Sequence, residues 1–305
     1  MTSSSTSTTS PLASGVAALL DLEVADLEVR RSPYSSTAPL FEIEVSGGGH
    51  AAHRLIVKDL WRPVRQDKAS RPAFVEDPER EPRVYQHLLR PDLHGTARWF
   101  GTVNENGRPR WLVLGHIEGL RLEHCGDLRL WESAAAWLGR FHRLSPSASP
   151  LVTLPLHDAA WFERWAHRAH SHVGPGAPRW LRAYDPIARH LAALDRHLVH
   201  GDFTPGNLLV HRSGVCPVDW ESAAHGPGLL DLASLITGWG TAASNRMVAA
   251  YASTAGASVD PLDLSIARLQ MCVQWLGWSD LAWGPEEKQR DWLSEACALA
   301  ERLGL

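Results

Sequence analysis

The chain has 305 residues and a formal net charge of −4, and 44% of its residues are hydrophobic. This length suffices for two compact domains, and the composition excludes a disordered, collagen-like or coiled-coil protein. The near-neutral charge also argues against a dedicated nucleic-acid-binding protein, which needs a basic face to displace phosphate counterions.

The N-terminal residues and the cysteines bear on the compartment. Residues 1–15 lack the basic region of a signal peptide, and no run of about 18 apolar residues occurs that would span a membrane. The four cysteines lie far apart without metal-ligand spacing, as expected for free thiols in a reducing compartment. We therefore expect a cytoplasmic protein with neither a membrane nor a nucleic-acid partner, in which residues 1–22 form a disordered Ser/Thr-rich tail.

The next hundred residues have the patterns of strands. DLEVRR, LFEIEV and RLIVKDL, within residues 23–60, predict a three-stranded antiparallel meander. Glu79 to Leu89 is predicted to be a helix, with Pro82 tolerated in its first turn. WFGTV and WLVLGHI flank the turn-rich NENGRP and predict two further strands.

Beyond Glu118–Gly119 the pattern becomes helical. Apolar residues recur at helical spacing from Leu130 to Phe141. A second helix is predicted to open at Asp185–Pro186, and its apolar stripe would comprise Ile187, Leu191, Leu194 and Leu198. The sequence thus predicts an α+β protein with a β-rich domain over residues 23–118 and a mostly helical domain over residues 119–305.

The segment LVHGDFTPGNLLV, residues 198–210, places a polar turn between two apolar runs. His200, Asp202 and Asn207 therefore lie in a loop between short strands, where scaffolds usually hold reacting groups. A chain of this composition would contain the His-x-Asp-x-x-x-x-Asn spacing by chance about 0.01 times. A second apolar segment, VCPVDWE, ends in Asp219, with Glu221 two positions further on.

Asp and Asn oxygens are ligands that suit Mg²⁺, whereas the Cys and His that suit zinc are not clustered here. If Asn207 and Asp219 hold the metal, Asp202 is left to orient a substrate hydroxyl and accept its proton. His200 is then expected to hold the loop through hydrogen bonds.

Basic residues are mostly arginine, because only three of the 30 are lysines: Lys58, Lys68 and Lys288. One of them, Lys58, ends the third predicted strand. It is followed by Glu81 at the start of the next helix and then by the segments WLVLGHIEG, HGDFTPGN and VDWE. This order of residues and motifs resembles the aminoglycoside phosphotransferase and choline kinase family of small-molecule kinases, which is related to protein kinases. The resemblance extends from about residue 24 to the end of the chain.

The resemblance implies a bilobal protein-kinase-like fold, with a small nucleotide-binding N-lobe over residues 23–118 and a larger C-lobe with the catalytic loop and the acceptor site over residues 119–305. It implies ATP and Mg²⁺ as cofactors. It assigns Lys58 to the α- and β-phosphates, Glu81 to the ion pair that holds Lys58, and Asp202 to the catalytic base. His200 is counted with these catalytic residues, and Asn207 and Asp219 with the metal. Glu76 and Glu79 are rival partners for Lys58.

The same resemblance predicts a nucleotide site. Residues 112–118 would form the hinge, in which backbone groups near Gly115–Ile117 hydrogen-bond adenine, and Leu112 to Leu114 would form part of its apolar wall. The phosphate-covering turn joins the first two strands, so the candidate phosphate contacts are Ser35, Ser36 and Thr37. The triple glycine at residues 47–49 is a simpler candidate for a hairpin turn.

Some residues have two interpretations and others one. Glu221 is either a metal-facing carboxylate or a structural acid. Asp231 is expected to anchor the loop that precedes its helix, and His142 is expected to be a packing residue. The helical pairs of tryptophans and the acids near the C-terminus are either structural or part of an acceptor site for a sugar ring or a cation. These residues are Trp161, Trp165, Trp275, Trp278, Asp280, Glu286, Glu287, Asp291 and Glu295.

The resemblance implies transfer of the γ-phosphate of ATP to a hydroxyl of a small molecule, either an antibiotic such as an aminoglycoside or a related amino alcohol or sugar metabolite. The alternative is a catalytically silent kinase-like protein that binds a nucleotide or ligand, and a metal-dependent hydrolase ranks third. No sequence feature indicates the oligomeric state.

Overall fold

The computed structural model describes residues 4–5, 11–21, 26–32, 38–46, 53–61, 72–145, 152–278 and 290–305. The chain divides into two compact units, each described separately below. Their bounds are Met1–Gln66 with Asp77–Gly119 for the first unit, and Asp67–Glu76 with Leu120–Leu305 for the second.

The first unit is built on a six-stranded antiparallel sheet in the order β1-β2-β3-β4-β6-β5. Its strands are β1 (Ser4–Ser5), β2 (Asp26–Arg31), β3 (Leu40–Ser46), β4 (His53–Asp59), β5 (Trp99–Glu105) and β6 (Arg108–Gly115). The predicted meander is confirmed as β2, β3 and β4, and the two predicted strands around NENGRP are confirmed as β5 and β6. In this register Lys58 lies between Leu40 of β3 and Leu112 of β6.

Helix α1 (Pro11–Leu20) corrects the expectation of a disordered tail over residues 1–22. Within PLASGVAALL, Ala13 and Val16 are buried in the core that covers one face of the sheet, together with Ile43, Leu55 and Val57. The helix is therefore held by tertiary packing of one apolar face, which a short, serine-rich sequence context does not signal.

Helix α2 (Arg80–His87) falls inside the predicted segment 79–89. Pro82 lies in its first turn, where its missing N–H removes no intrahelical hydrogen bond. The short helix α3 (Pro91–His94) follows and ends at Gly95, whose φ of 65° provides a left-handed C-terminal cap.

The second unit is mostly helical. Its helices are α4 (Leu128–Leu144), α5 (Ala159–Val173), α6 (Arg179–Arg182), α7 (Asp185–Ala193), α8 (Leu229–Ile236), α9 (Thr241–Ala255), α10 (Pro261–Gly277) and α11 (Trp292–Arg302). Its strands are β7 (Leu120–Arg121), β8 (Arg196–Val199), β9 (Leu208–His211), β10 (Gly214–Pro217) and β11 (Ala224–Pro227). None of the helices in the described ranges has the length and hydrophobicity that crossing a bilayer requires.

Two boundaries differ from the sequence-based expectation. Residues 67–76, assigned above to the N-lobe, belong to the second unit, where Phe74 packs edge-on against Trp165 at a ring distance of 5.1 Å. The stripe predicted from Ile187 to Leu198 is not one helix either, because α7 ends at Ala193 and Leu198 lies on β8. Leu198 continues the helical spacing of apolar residues by coincidence, because a buried strand also needs apolar side chains.

Gly139 marks the closest approach of α4 to α9. A Cβ atom there would meet the carbonyl oxygen of Tyr251, the hydroxyl of Thr254 and the amide nitrogen of Ala255 inside normal contact distance. We expect Gly139→Ala to destabilise the protein by about 2 kcal/mol in denaturant unfolding, because overpacking against a backbone outweighs the gain in helix propensity. Gly126→Ala is the control, since no atom lies within 4 Å of its Cβ position. Equal stability of the two variants would contradict this close packing.

Candidate active site

Lys58 and Glu81 form a buried ion pair in the first unit. Lys58 Nζ lies 2.7 Å from Glu81 Oε2, and the two residues are 6% and 2% exposed. Glu79 instead occupies the N-cap position of α2 and Glu76 precedes the helix, so the structure selects Glu81 among the three acids considered. Burying a charged pair costs desolvation energy that its attraction repays poorly, so such a pair is weak evidence for a purely stabilising role.

Apolar side chains continue from Lys58 along the same face of the sheet. Ile56 lies two residues before Lys58 on β4, and alternate residues of a strand share a face. Its partner on β6 is Leu114, and Leu112 is the partner of Lys58. Leu112 and Leu114 therefore lie where the sequence analysis expected an apolar wall.

Two backbone N–H groups of the predicted hinge are used by the sheet. The N–H of Gly115 donates to the Arg98 carbonyl at 2.8 Å, and that of His116 donates to the Arg54 carbonyl at 3.0 Å. Both donors are thus used inside the sheet, since β6 has a neighbour on each side, and His116 cannot offer its N–H to a base. Ser35, Ser36 and Thr37, the expected phosphate contacts, lie outside the described residues.

His116 lines a small open depression of about 20 Å³ in the first unit, together with Glu28, Arg30, Glu42, Glu44 and Arg54. Burial, followed by the charge of Arg54, lowers the pKa of His116 below its ordinary value. The imidazole is therefore neutral at physiological pH.

In the second unit, the polar loop runs from β8 to β9 and is closed by the amide of Asn207. Asn207 Nδ2 donates to the Asp202 carbonyl at 3.0 Å and to Asp202 Oδ2 at 2.8 Å. Both contacts use the nitrogen, which fixes the direction of the amide and makes Oδ1 the Asn207 atom suited to a cation. A single turn of 3₁₀ helix, Pro205–Asn207, gives the loop its shape.

The hairpin of β9 and β10 brings Asp219 to Asn207. Leu208 pairs with Pro217, and one step further the N–H of Val218 donates to the Asn207 carbonyl at 2.9 Å. Asp219 follows with a left-handed φ of 67°, a conformation that Asp tolerates better than most side chains. The backbone of Asn207 therefore lies beside the residue that precedes Asp219.

Asp219 and Glu221 place negative charge beside Asp202. One carboxylate oxygen of Asp219 and one of Glu221 lie within 4.8 Å of each other. Burial, then the charges of Asp219 and Glu221, raise the pKa of Asp202 to about 7, against the lowering effect of the Asn207 hydrogen bond. Asp219 and Glu221 thus disfavour the ionised form of Asp202.

This raised pKa has a consequence for stability. Native Asp202 holds a proton between about pH 4 and 7 that the unfolded chain has already released, so its contribution to stability falls as pH rises through that window. In metal- and nucleotide-free buffer at pH 8, we expect Asp202→Asn to be more stable than the wild type by about 2 kcal/mol. The difference should close as pH is lowered toward 4. A variant of equal or lower stability at pH 8 would contradict the electrostatic strain at Asp202.

His200 and Asp231 hold the loop through hydrogen bonds. This role was expected of His200, whereas Asp231 was expected to anchor the loop that precedes its own helix. His200 is fully buried, its Nε2 lies 3.0 Å from the Val218 carbonyl, and its Nδ1 faces the N–H of Asp202 at 3.3 Å. Asp231 accepts the N–H groups of His200 at 2.7 Å and Gly201 at 2.9 Å. His200 therefore contacts the loop backbone at Asp202 through Nδ1 and the backbone just before Asp219 through Nε2, which is a positioning role.

Burial acts to raise the pKa of Asp231, but the hydrogen bonds and charges of His142 and His200 outweigh it and keep that pKa below its ordinary value. His142, expected to be a packing residue, is thus part of the polar network. Its ring also contacts the hydroxyl of Tyr251, a residue that the sequence analysis missed. Tyr251 lies 109 positions from His142, and no local pattern joins the two.

The other candidates for an acceptor site have partners within the second unit where they are described. Trp161 and Trp165 are buried in the helical core, which excludes them as an aromatic platform, and Trp275 stacks on Trp292 rather than on Trp278. Of the C-terminal acids, Asp291 caps α11 and Glu295 pairs with Arg290 at 3.2 Å. Asp280, Glu286 and Glu287 lie outside the described residues.

Comparison with known proteins identifies the family. A model of the phosphotransferase enzyme family matches residues 41–265. The chain therefore belongs to the phosphotransferase enzyme family, and the predicted small-molecule-kinase class is confirmed. No curated protein matches the chain in sequence.

Solved structures show the same fold. A choline kinase from Cryptosporidium parvum Iowa II has a TM-score of 0.59 at 13% identity, covering 90% of each chain. A macrolide 2′-phosphotransferase from Brachybacterium faecium has a TM-score of 0.58 at 17% identity, covering 93% of this chain and 96% of that one. The GDP complex of an aminoglycoside 2′-phosphotransferase variant has a TM-score of 0.57 at 16% identity, covering 96% of both. The predicted bilobal, kinase-like α+β fold is thereby confirmed.

Proposed function

We propose that this phosphotransferase moves the γ-phosphate of a nucleoside triphosphate, with ATP as the first candidate, to a hydroxyl of a small molecule. The observation that carries the proposal is the loop at Asp202, where a carboxylate of pKa about 7 lies beside Asn207, Asp219 and Glu221. A carboxylate in such a loop can orient an acceptor hydroxyl and take its proton.

The chemistry assigned to Asp202 is proton acceptance. The hydroxyl of the acceptor donates to the free carboxylate oxygen of Asp202, since Asn207 already holds Oδ2. As the hydroxyl oxygen bonds to the γ-phosphorus, the bond between that phosphorus and the β–γ bridging oxygen breaks. The hydroxyl proton passes to Asp202, and the nucleoside diphosphate leaves with the bridging oxygen.

The donor set fits a divalent cation. Asp219, Glu221 and Oδ1 of Asn207 offer the oxygen ligands that Mg²⁺ prefers, and the carboxylates of Asp219 and Glu221 lie close together. When bound, Mg²⁺ supplies neutralisation of phosphate charge. We assign Asn207 and Asp219 as its ligands and Glu221 as a further carboxylate facing the same ion.

The metal assignment predicts a specific loss on mutation. We expect Asp219→Asn to raise the Mg²⁺ concentration for half-maximal turnover at least tenfold, because one charged ligand is removed. Arg54→Lys, a charge-conserving change at an exposed ion pair of the first unit, is the control. An unchanged Mg²⁺ dependence in Asp219→Asn would remove this residue from the metal site.

Nucleotide binding is assigned to the first unit. Lys58, held by Glu81, is proposed to bind the α- and β-phosphates, with Ile56 and Leu114 as apolar contacts of the base. Because the N–H groups of Gly115 and His116 are used by the sheet, we assign base recognition at the hinge to the N–H of Ile117. The GDP bound to a structural neighbour supports a purine nucleotide but leaves guanine as a second candidate.

The acceptor is proposed to be an antibiotic, an amino alcohol or a sugar derivative, the kinds of compound that the names of the neighbours suggest. The test is a nucleotide-consumption screen over macrolides, aminoglycosides, choline, ethanolamine and ketoamines, with ATP and GTP in parallel. Acceptor-dependent consumption that requires Mg²⁺ would support the proposal. Acceptor-independent binding of nucleotide, without turnover on any compound, would favour the catalytically silent alternative.

A further inference from the structure

A chain of buried polar groups leads from α9 to the loop that carries Asp202. The hydroxyl of Tyr251 lies 3.0 Å from His142 Nδ1, and His142 Nε2 lies 3.4 Å from Asp231 Oδ2. Asp231 in turn accepts the N–H groups of His200 and Gly201. The side chains of Tyr251, His142 and Asp231 thus connect α9 to the backbone of the two residues that precede the proposed base.

These groups have no access to water that could replace a lost partner. His142 and Asp231 are each 2% exposed, and Tyr251 is 5% exposed. The His142 ring fits only because residue 228 is glycine, since a Cβ atom there would lie 2.6 Å from His142 Nδ1. A second histidine, His197, stacks on it at a ring distance of 5.2 Å.

When the His142 ring carries one proton, its partners determine which nitrogen holds that proton. Ionised Asp231 can only accept, so Nε2 must hold the hydrogen that faces it. Nδ1 then has a lone pair and needs a donor, which the Tyr251 hydroxyl supplies. Without that donor, the ring can take the other tautomer, whose Nε2 lone pair would face the Asp231 carboxylate.

We propose that Tyr251 is a positioning residue for phosphate transfer, which fixes the tautomer of His142 and, through Asp231, the backbone of His200 and Gly201. This inference rests on the proposed role of Asp202. It assigns a catalytic effect to a hydroxyl on α9 that is separated from Asp202 by three residues and contacts no substrate. The function of the hydroxyl is to keep the loop in the one geometry that aims Asp202.

The test is Tyr251→Phe, which removes one oxygen atom. We expect kcat to fall about five- to tenfold, the effect of one buried hydrogen bond, while KM for the nucleotide stays within twofold. In hydrogen exchange of the wild-type and variant full chains, we expect the amides of His200 and Gly201 to exchange faster by a similar factor.

Tyr184→Phe is the matched control. The Tyr184 hydroxyl is also buried and donates to Gln270 Oε1 at 2.8 Å, but this bond does not lead to the loop. The two variants should lose similar stability, and only Tyr251→Phe should change kcat and loop exchange. Equal effects of both variants, or unchanged loop exchange in Tyr251→Phe, would overturn the proposal.

Two further measurements separate this inference from the proposed function. In a His142→Leu background, Tyr251→Phe should cause no additional loss of kcat, whereas independent, multiplicative losses would overturn the coupling. Hydrogen exchange requires no substrate, so its result stands even where the acceptor screen fails. If Tyr251→Phe exchanged the loop amides faster but had an unchanged kcat, the hydrogen-bond network would stand and its catalytic role would be overturned.

Discussion

Replacing Asp202 with asparagine is expected to lower kcat by at least about a thousandfold, the largest effect of any single change in this protein. Asparagine keeps the size of the side chain and can still accept the hydrogen bond of Asn207 through its oxygen, but it cannot take the proton of an acceptor hydroxyl. The affinity for the nucleotide should therefore change little. Steady-state kinetics and calorimetric titration of the nucleotide measure the two quantities separately.

Asp195→Asn is the matched control for this prediction. Asp195 is exposed and lies seven positions before Asp202, so the same loss of charge there should leave kcat within twofold. Because Asp202→Asn is also expected to be more stable at pH 8, lost activity cannot be attributed to unfolding. Retained phosphate transfer in Asp202→Asn would show that another group accepts the proton.

Replacing Lys58 with arginine is expected to lower kcat/KM about a hundredfold despite the conserved charge. Lys58 is 6% exposed and its ammonium lies 2.7 Å from Glu81, so the wider guanidinium has no space to reach phosphates from the same strand. Arginine also presents a rigid fork of donors where a compact ammonium is held. Turnover at limiting nucleotide is the measurement.

Arg54→Lys is the reciprocal control on the same strand. Arg54 pairs with Glu44 at 3.5 Å, and both side chains are about half exposed, so exchange of the cation should have almost no effect. Arginine outnumbers lysine 27 to 3 in this chain, which shows that arginine serves wherever only positive charge is needed. Near-normal kcat/KM in Lys58→Arg would contradict a specific role for the ammonium.

Much of the first unit could be predicted because apolar and polar residues alternate along its strands. In DLEVRR and LFEIEV every second residue is apolar and can face a core, and these segments coincide with the observed β2 and β3. The apolar segments after Asn207 and before Asp219 were also visible in the sequence, and they form the hairpin of β9 and β10.

Features that depend on distant contacts could not be predicted. Helix α1 is stable only against the sheet, and residue Phe74 joins the second unit through Trp165. The partners of the His116 N–H and of the Tyr251 hydroxyl lie far along the chain. A single sequence carries local periodicity and turn chemistry, whereas such pairings are decided by packing.

The most direct test of phosphate transfer by the wild-type enzyme is phosphorus NMR of its reaction with MgATP and the best acceptor from the screen. The proposed function predicts a new phosphate monoester signal that grows in equal amount with ADP, and its absence from the same reaction with Asp202→Asn. Consumption of ATP that yields only inorganic phosphate, with every acceptor unchanged, would contradict the assignment of this protein as a kinase of small-molecule hydroxyls.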